Sequence, residues 1–82
     1  SGTLTHYAPQ NGVYVQFRQA DAETLMIIYN KNEQPLELDL QRFNQILPPS
    51  ATAKDIVTQN VKRLDSTIKL TQKGVTILSI TQ

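Results

Sequence analysis

The chain has 82 residues, which is enough for one domain with a single hydrophobic core. Eight basic and seven acidic residues give a formal net charge of +1, and this balance argues against electrostatic binding of nucleic acid. The absence of cysteine excludes disulfides and thiolate metal sites. The longest apolar run, residues 25–29, is far shorter than the roughly 20 residues that span a bilayer, so no membrane partner is expected.

The first half of the chain has the period-two alternation of half-buried strands. Val13, Val15 and Phe17 alternate with polar side chains, and the preceding pair Asn11-Gly12 is a strong turn signal. Residues 4–7 are predicted to form the preceding strand, which Pro9 would end.

Residues 25–29 are apolar at every position, which predicts a central strand covered on both faces. Residues 19–23 are predicted to be the hairpin loop before it, and residues 30–35 form a turn cluster after it. Alternating leucines then predict a one-sided strand over residues 36–41.

The period changes at Leu40, Phe43 and Leu47, whose spacing of three and four predicts one or two helical turns. Asp39 is a candidate for capping this helical segment, and Pro48-Pro49 would end it.

The remaining chain is predicted to contain a loop followed by several short strands. The loop covers residues 50–53, the strands cover residues 55–58, 61–64, 67–71 and 75–81, and residues 72–74 form a tight turn. Seven or eight short strands at intervals of about ten residues are typical of an antiparallel sandwich or barrel. The fold class is therefore predicted to be all-β.

Catalytic machinery is not evident in these residues. His6 is the only histidine, and a lone histidine without cysteine makes both a Ser-His-Asp site and a zinc site improbable. Glu37 and Asp39 share a strand face at about 7 Å, but that face lies opposite the leucines and is predicted to point into water. The three glycines do not form a phosphate-binding spacing. We therefore predict no catalytic residue, no metal site and no cofactor.

One residue is a candidate for binding carbohydrate. The apolar face of a pyranose stacks on an exposed aromatic ring, and Tyr14 lies on the polar side of its predicted strand. The chain has three tyrosines, two phenylalanines and no tryptophan, so core or interface packing competes with this role.

Several runs resemble a known family. Residues 4–9 followed by residues 11–18 resemble the opening of the C-terminal domain of cyclomaltodextrinase and neopullulanase-like enzymes. Residues 25–33 resemble the family's strand that ends in an Asn-Lys-Asn turn, and Leu38-Asp39-Leu40 with Arg42-Phe43 follows at the expected place. Ala53 to Thr58 resembles the family's Gly-Lys-Asp-Val segment, with alanine where glycine is frequent. The final strand also fits, so the resemblance covers about residues 4–81.

The resemblance implies an antiparallel β-sandwich with Greek-key topology over residues 4–82. Residues 1–3 would then be a cloning remnant or a linker. The family belongs to the alpha-amylase superfamily, glycoside hydrolase family 13, whose catalytic carboxylates lie in an upstream (β/α)8 barrel. No catalytic residue therefore carries over to this chain. The parent enzyme would act on maltodextrins, cyclomaltodextrins or pullulan, and a periplasmic or cell-surface location is compatible with that role.

Three functions remain open from the residues and the resemblance. The domain would stabilise and orient the catalytic barrel, or bind starch and maltodextrins as an independent module, or serve as an unrelated β-sandwich interaction domain. An exposed apolar face without aromatic side chains would favour the first function. A pair of aromatic side chains on one flat face would favour the second.

Overall fold

The computed structural model describes residues 2–82, which form eight strands in two antiparallel sheets and one 3-10 turn. The strands are β1 (Gly2–Gln10), β2 (Val13–Ala20), β3 (Glu23–Asn30), β4 (Leu36–Asp39), β5 (Thr52–Asp55), β6 (Val61–Arg63), β7 (Thr67–Leu70) and β8 (Gly74–Thr81). The 3-10 turn covers Gln41–Phe43. Within residues 2–82, no helix has the length and apolarity needed to cross a membrane.

The two sheets differ greatly in size. The large sheet has the order β1-β2-β3-β8-β5-β6, and the small sheet pairs β4 with β7. The chain forms a three-stranded meander, crosses to the small sheet, and finally returns so that β8 lies between β3 and β5. This return connects the small sheet to the interior of the large sheet, where β8 joins the meander to the β5–β6 hairpin. The predicted all-β sandwich is therefore confirmed.

One core lies between the sheets. The large sheet contributes alternate residues of β2, β3 and β8, such as Phe17, Met26 and Leu78, and the small sheet contributes Leu38 and Ile68. These strands have apolar residues at alternate positions because each strand buries one face against the other sheet. The buried apolar side chains are Val13, Val15, Phe17, Met26, Ile28, Leu38, Leu40, Phe43, Leu47, Ala51, Ala53, Leu64, Ile68, Leu70, Leu78 and Ile80.

The hairpins are tighter than the sequence predicted. Asn11 and Gly12 form the predicted turn with φ of 52° and 74°. Gly12 is also required by space, because an added Cβ would lie 2.8 Å from the side-chain nitrogen of Asn32. The second hairpin closes through Asp21 and Ala22 alone, so the predicted loop at residues 19–23 is wrong. Its outer residues belong to the β2–β3 ladder, in which Ala20 pairs with Glu23.

The ends of β1 differ from the prediction. Pro9 does not end the strand, which continues to Gln10 across an irregularity in its pairing with β2. Proline is tolerated there because β1 is an edge strand. Of residues 1–3, Ser1 lies outside the described residues, and Gly2 and Thr3 pair with the end of β2.

The middle of the chain contains three further corrections. The loop predicted over residues 50–53 extends too far, because β5 begins at Thr52. Residues 56–58 form a turn, so the strand predicted over residues 55–58 is wrong. The N-cap of the 3-10 turn is Leu40 and not the predicted Asp39, although the Asp39 Oδ1 accepts from the Gln41 N–H at 2.9 Å.

Asp55 causes the turn that replaces the predicted strand. Its Oδ1 accepts from the backbone N–H groups of Thr58 at 3.0 Å and Val57 at 2.8 Å, and its carbonyl accepts from the Gln59 N–H. The Thr58 and Val57 hydrogen bonds lower the pKa of the Asp55 carboxyl below its usual 3.8.

The lowered pKa of Asp55 predicts a pH-dependent effect on stability. A carboxyl whose pKa is lower in the folded state stabilises the fold above its unfolded pKa, and this contribution disappears as pH falls through the folded pKa. Asp55→Asn should therefore lower the melting temperature near neutral pH, and the difference should shrink toward zero at about pH 2. The exposed Asp21 supplies the control variant, Asp21→Asn. A constant difference across the pH series would contradict the role of the charge.

Candidate functional site

The face of the large sheet that points away from the core is called here the outer face. Paired residues of antiparallel strands project to the same side, so the ladder defines this face directly. Its side chains are Leu4 and His6 of β1, Tyr14, Gln16, Arg18 and Ala20 of β2, Glu23, Leu25, Ile27 and Tyr29 of β3, Val75, Ile77, Ser79 and Thr81 of β8, Thr52 and Lys54 of β5, and Val61 and Arg63 of β6.

The outer face is unusually apolar for a surface. Leu4, Val61 and Val75 are 53%, 61% and 56% exposed, and Leu25, Ile27 and Ile77 are half-buried along its centre. Beyond the end of β5, Ile56 extends the apolar row, since its N–H donates to the Ile77 carbonyl. An exposed group of apolar side chains, here interrupted by Arg18 beside Leu4 and by Lys54 beside Val61, is typical of an interaction site.

The outer side of the small sheet has the opposite character. Glu37 of β4 lies directly across from Lys69 of β7, and Asp39 lies across from Thr67. All four side chains are exposed. Glu37 and Asp39 therefore face solvent as predicted, and the asymmetry between the two exteriors identifies the outer face of the large sheet as the candidate interaction surface.

Three rings stand together at one end of the outer face. Tyr14 lies directly opposite Tyr29 in the β2–β3 ladder, with ring centroids 5.5 Å apart and a tilt of 32°. His6 stacks on the other side of Tyr14 at 5.9 Å and 19°. The Tyr29 hydroxyl accepts from the Gln16 Nε2 at 2.9 Å, and the Tyr14 hydroxyl contacts the His6 Nδ1. Both tyrosine rings are therefore fixed at their hydroxyl ends.

A shallow apolar groove lies beside these rings. It has a volume of about 410 Å³ and is lined by Pro9, Gly12, Val13, Tyr14, Tyr29 and Lys31. We call it the tyrosine groove. Tyr14 was the predicted sugar-binding residue, and the fold adds Tyr29 beside it. The sequence pattern does not indicate a surface role for Tyr29, because residues 25–29 are apolar at every position and predict a strand covered on both faces.

Among residues 2–82, the histidine and acidic side chains considered for catalysis lie apart. His6 lies against Tyr14 on the outer face, whereas Glu37 and Asp39 lie on the small sheet. Within residues 2–82, no group of three or more histidine or acidic side chains is arranged to hold a metal ion. The features that the fold does assemble are an apolar face and an aromatic groove, which are binding features.

The architecture defines a small accessory β-sandwich with one exposed apolar sheet face. Residues 4–79 match the family model of the cyclo-malto-dextrinase C-terminal domain. The chain belongs to this family of C-terminal domains. The resemblance seen in the sequence motifs is thereby confirmed.

Solved structures share the fold. The alpha-amylase from Geobacillus thermoleovorans, crystallised with acarbose, superposes with a TM-score of 0.79 and 20% identity over 99% of this chain. An Anoxybacillus alpha-amylase superposes with a TM-score of 0.76 and 17% identity over 98% of this chain. The chain spans only 18% of the length of each of these proteins.

Proposed function

We propose that residues 4–82 form the non-catalytic C-terminal domain of a glycoside hydrolase acting on maltodextrins, cyclomaltodextrins or pullulan. In this proposal the outer face docks on the preceding (β/α)8 barrel of the same chain, stabilises it and fixes its orientation. The observation that carries the proposal is the contrast between the apolar outer face and the charged exterior of the small sheet. Family membership argues against the alternative of an unrelated β-sandwich.

The energetics of burial support docking. An apolar side chain moved from water into an interface contributes roughly 1.5–3 kcal/mol when fully buried. Leu4, Val61 and Val75 are each more than half exposed in this chain, and Ile56 is 43% exposed. Covering these four side chains would supply much of the stability of an interdomain contact.

Charged side chains would fix the orientation of the proposed contact. Arg18 and Lys54 are exposed on the outer face, and Arg63 pairs with Thr52 on the same side. The strands of this face carry three cations and one acid, Glu23, so we expect carboxylates on the facing barrel surface opposite the cations. Complementary charges of this kind fix the register of two surfaces more than they add affinity.

The docking proposal predicts a difference between the isolated domain and its parent enzyme. Val61→Asp and Val75→Asp replace exposed side chains, so each should change the unfolding free energy of the 82-residue chain by no more than about 0.5 kcal/mol. In the full-length parent the same variants would bury an unpaired charge, and the melting temperature should fall by several degrees. Calorimetry of both proteins measures the two effects.

Gln45→Asp is the matched control, because it adds the same charge at an exposed position outside both sheets. It should leave both proteins unchanged. Equal effects of all three variants in the full-length enzyme would contradict docking through the outer face.

A further inference from the structure

We propose that two copies of this chain associate through their β1 strands, which pair antiparallel and edge to edge. The six-stranded sheets of the two copies would then form one continuous sheet. β1 has nine residues, and among the strands of residues 2–82 only β2 pairs with it. An unpaired edge offers a row of backbone N–H and C=O groups to another strand. The contact lies in the plane of the sheet, so it is distinct from docking through the outer face.

The two hairpins determine which backbone groups of β1 are free. A two-residue hairpin begins at a pair of residues that exchange both of their hydrogen bonds, and such pairs alternate along an antiparallel ladder. This pair is Gln10 with Val13 in the first hairpin and Ala20 with Glu23 in the second. Both hairpins therefore direct the N–H and C=O groups of the odd-numbered β2 residues toward β1, where they meet residues 3, 5 and 7. The backbone groups of the even-numbered β1 residues point away from the molecule.

The far end of this edge is already blocked. The Arg42 guanidinium donates to the Ala8 carbonyl at 3.0 Å, which uses one of the outward-pointing groups. Pro9 has no N–H to offer, and the pairing of β1 with β2 is irregular in the same stretch. A cation, a proline and a bulge are three of the devices by which proteins prevent pairing at a sheet edge.

The near end of the edge has none of these devices. Residues 2–6 contain no lysine, arginine, aspartate, glutamate or proline, and their ladder with β2 is regular. The opposite edge of the same sheet differs, because β6 has only three residues and two of them are cations. We call residues 2–6 of β1 the open edge. The large sheet therefore has one edge at which a further strand can be added.

The open edge is complementary to a second copy of itself. With a two-fold axis at Leu4, this residue lies opposite the same leucine of the second copy, and the outward backbone groups of residues 2, 4 and 6 meet in hydrogen-bonded pairs. Thr3 lies opposite Thr5, and Gly2 lies opposite His6. Leucine and threonine pairs of this kind stabilise antiparallel strands. Gly2 leaves room for the histidine ring, and like charges do not meet within the open edge.

The contact is small, so the association should be weak. Five residues of each strand bury far less than the roughly 1,200 Å² of a stable interface. We expect a dissociation constant of about 0.1–1 mM, which sedimentation equilibrium of the 82-residue chain measures at concentrations up to about 2 mM. A monomer at every concentration would overturn the proposal.

Charge reversal at Leu4 tests the register. Leu4 is 53% exposed, so Leu4→Lys and Leu4→Glu should both remain folded, which a dispersed amide spectrum shows. Each variant alone places two like charges directly opposite each other and should associate at least about tenfold more weakly than the unsubstituted chain. An equimolar mixture of the two variants places Lys opposite Glu and should restore association. Failure of the mixture to associate would overturn the two-fold axis at Leu4.

Val61→Lys is the matched control. Val61 is 61% exposed on the same outer face, but it lies on β6 at the opposite edge of the sheet. This variant should associate as strongly as the unsubstituted chain. Loss of association in Val61→Lys together with its persistence in Leu4→Lys would overturn edge pairing and would indicate contact through the outer face. Because Val61→Asp tests docking in the full-length enzyme, the two proposals succeed or fail separately.

Amide hydrogen exchange gives a second readout at single residues. The N–H groups of Leu4 and His6 point to solvent in one copy and would be bonded in the pair, so their exchange should slow as the concentration rises. The Thr5 N–H faces β2 and should exchange at the same rate throughout. Exchange of Leu4 and His6 that does not change with concentration would overturn pairing through β1.

Discussion

Phe43→Ala is expected to destabilise the chain by about 3–5 kcal/mol, which is the usual cost of removing a buried phenylalanine ring. Phe43 is fully buried although it belongs to the 3-10 turn and to neither sheet. Its ring packs edge-on against Tyr7 with centroids 4.8 Å apart, and it is tilted by 59° against Phe17 with centroids 5.7 Å apart. A domain of this length has a total stability of only about 4–12 kcal/mol, so the variant should be close to unfolding at ambient temperature.

The loss should exceed a simple cavity effect because Phe43 also holds β1. The Arg42 guanidinium lies over the rings of both Phe43 and Tyr7, and it donates to the Ala8 carbonyl at 3.0 Å. Removing the Phe43 ring therefore weakens the support of an edge strand as well as the core.

Urea unfolding followed by circular dichroism measures the effect of Phe43→Ala. We expect the midpoint to fall by roughly 2 M or more, given typical slopes of 1–3 kcal/mol per molar urea. Val57→Ala is the control, because Val57 is 80% exposed and should shift the midpoint very little. A loss below about 1 kcal/mol for Phe43→Ala would mean that the turn is not part of the core.

The alternating strands were predictable because their pattern has a single physical cause. Val13, Val15 and Phe17 are all buried, and the residues between them lie on the outer face. The Asn11-Gly12 turn was predictable for a similar reason, since both residues tolerate the positive φ that the turn requires.

The strand β5 was missed because its core residues are small. Ala51 and Ala53 are buried to 1% exposure, yet alanine carries almost no strand signal. The stronger β-branched run at residues 56–58 attracted the prediction instead. Residues 56–58 form a turn and not a strand, because their N–H groups at Val57 and Thr58 donate to the Asp55 carboxylate and not to a neighbouring strand.

Of the two tyrosines that line the groove, only Tyr14 was predictable, and the reason is the length of the loop between β2 and β3. A two-residue hairpin at Asp21 and Ala22 sets the register in which Tyr14 pairs with Tyr29. The predicted five-residue loop left this register undefined, so the second tyrosine could not be placed. The short hairpin signal was weak because neither residue is glycine, although Asp21 adopts a φ of 54°.

The apolar residues of the run 25–29 are divided between the two faces of β3. Met26 and Ile28 fill the core, whereas Leu25, Ile27 and Tyr29 are half-buried on the outer face. The run was predicted to be covered on both faces, and in this chain only one face is covered completely. The docking proposal accounts for the difference, because a second domain would cover the other face.

Asn30 is expected to be the most sensitive polar position of the chain. It is only 5% exposed, and it ends β3 between Val13 of β2 and Gly74 of β8. Its Nδ2 donates to the Gln72 carbonyl at 2.9 Å, and its Oδ1 accepts from the backbone and side-chain N–H groups of Asn32, each at 3.0 Å. The Asn32 side chain in turn donates to the Asn11 carbonyl. The Asn30 and Asn32 side chains together therefore connect the β1–β2 turn, the end of β3 and the segment before β8.

Asn30→Leu should lower the unfolding free energy by about 2–3 kcal/mol, because it leaves the carbonyl and the N–H groups without their partner at little change in volume. Asn30→Asp separates the contributions, since it keeps an acceptor for Asn32 but removes the donor to Gln72. We expect its loss to be smaller than that of Asn30→Leu when thermal unfolding is compared near neutral pH. The exposed Asn44 supplies the control, Asn44→Leu, which should change the stability by less than about 0.5 kcal/mol. If Asn30→Leu proved neutral, the turns would be fixed by their backbone geometry alone, and the positive φ of Asn11 and Gly12 would be sufficient to set the end of the outer face where the groove lies.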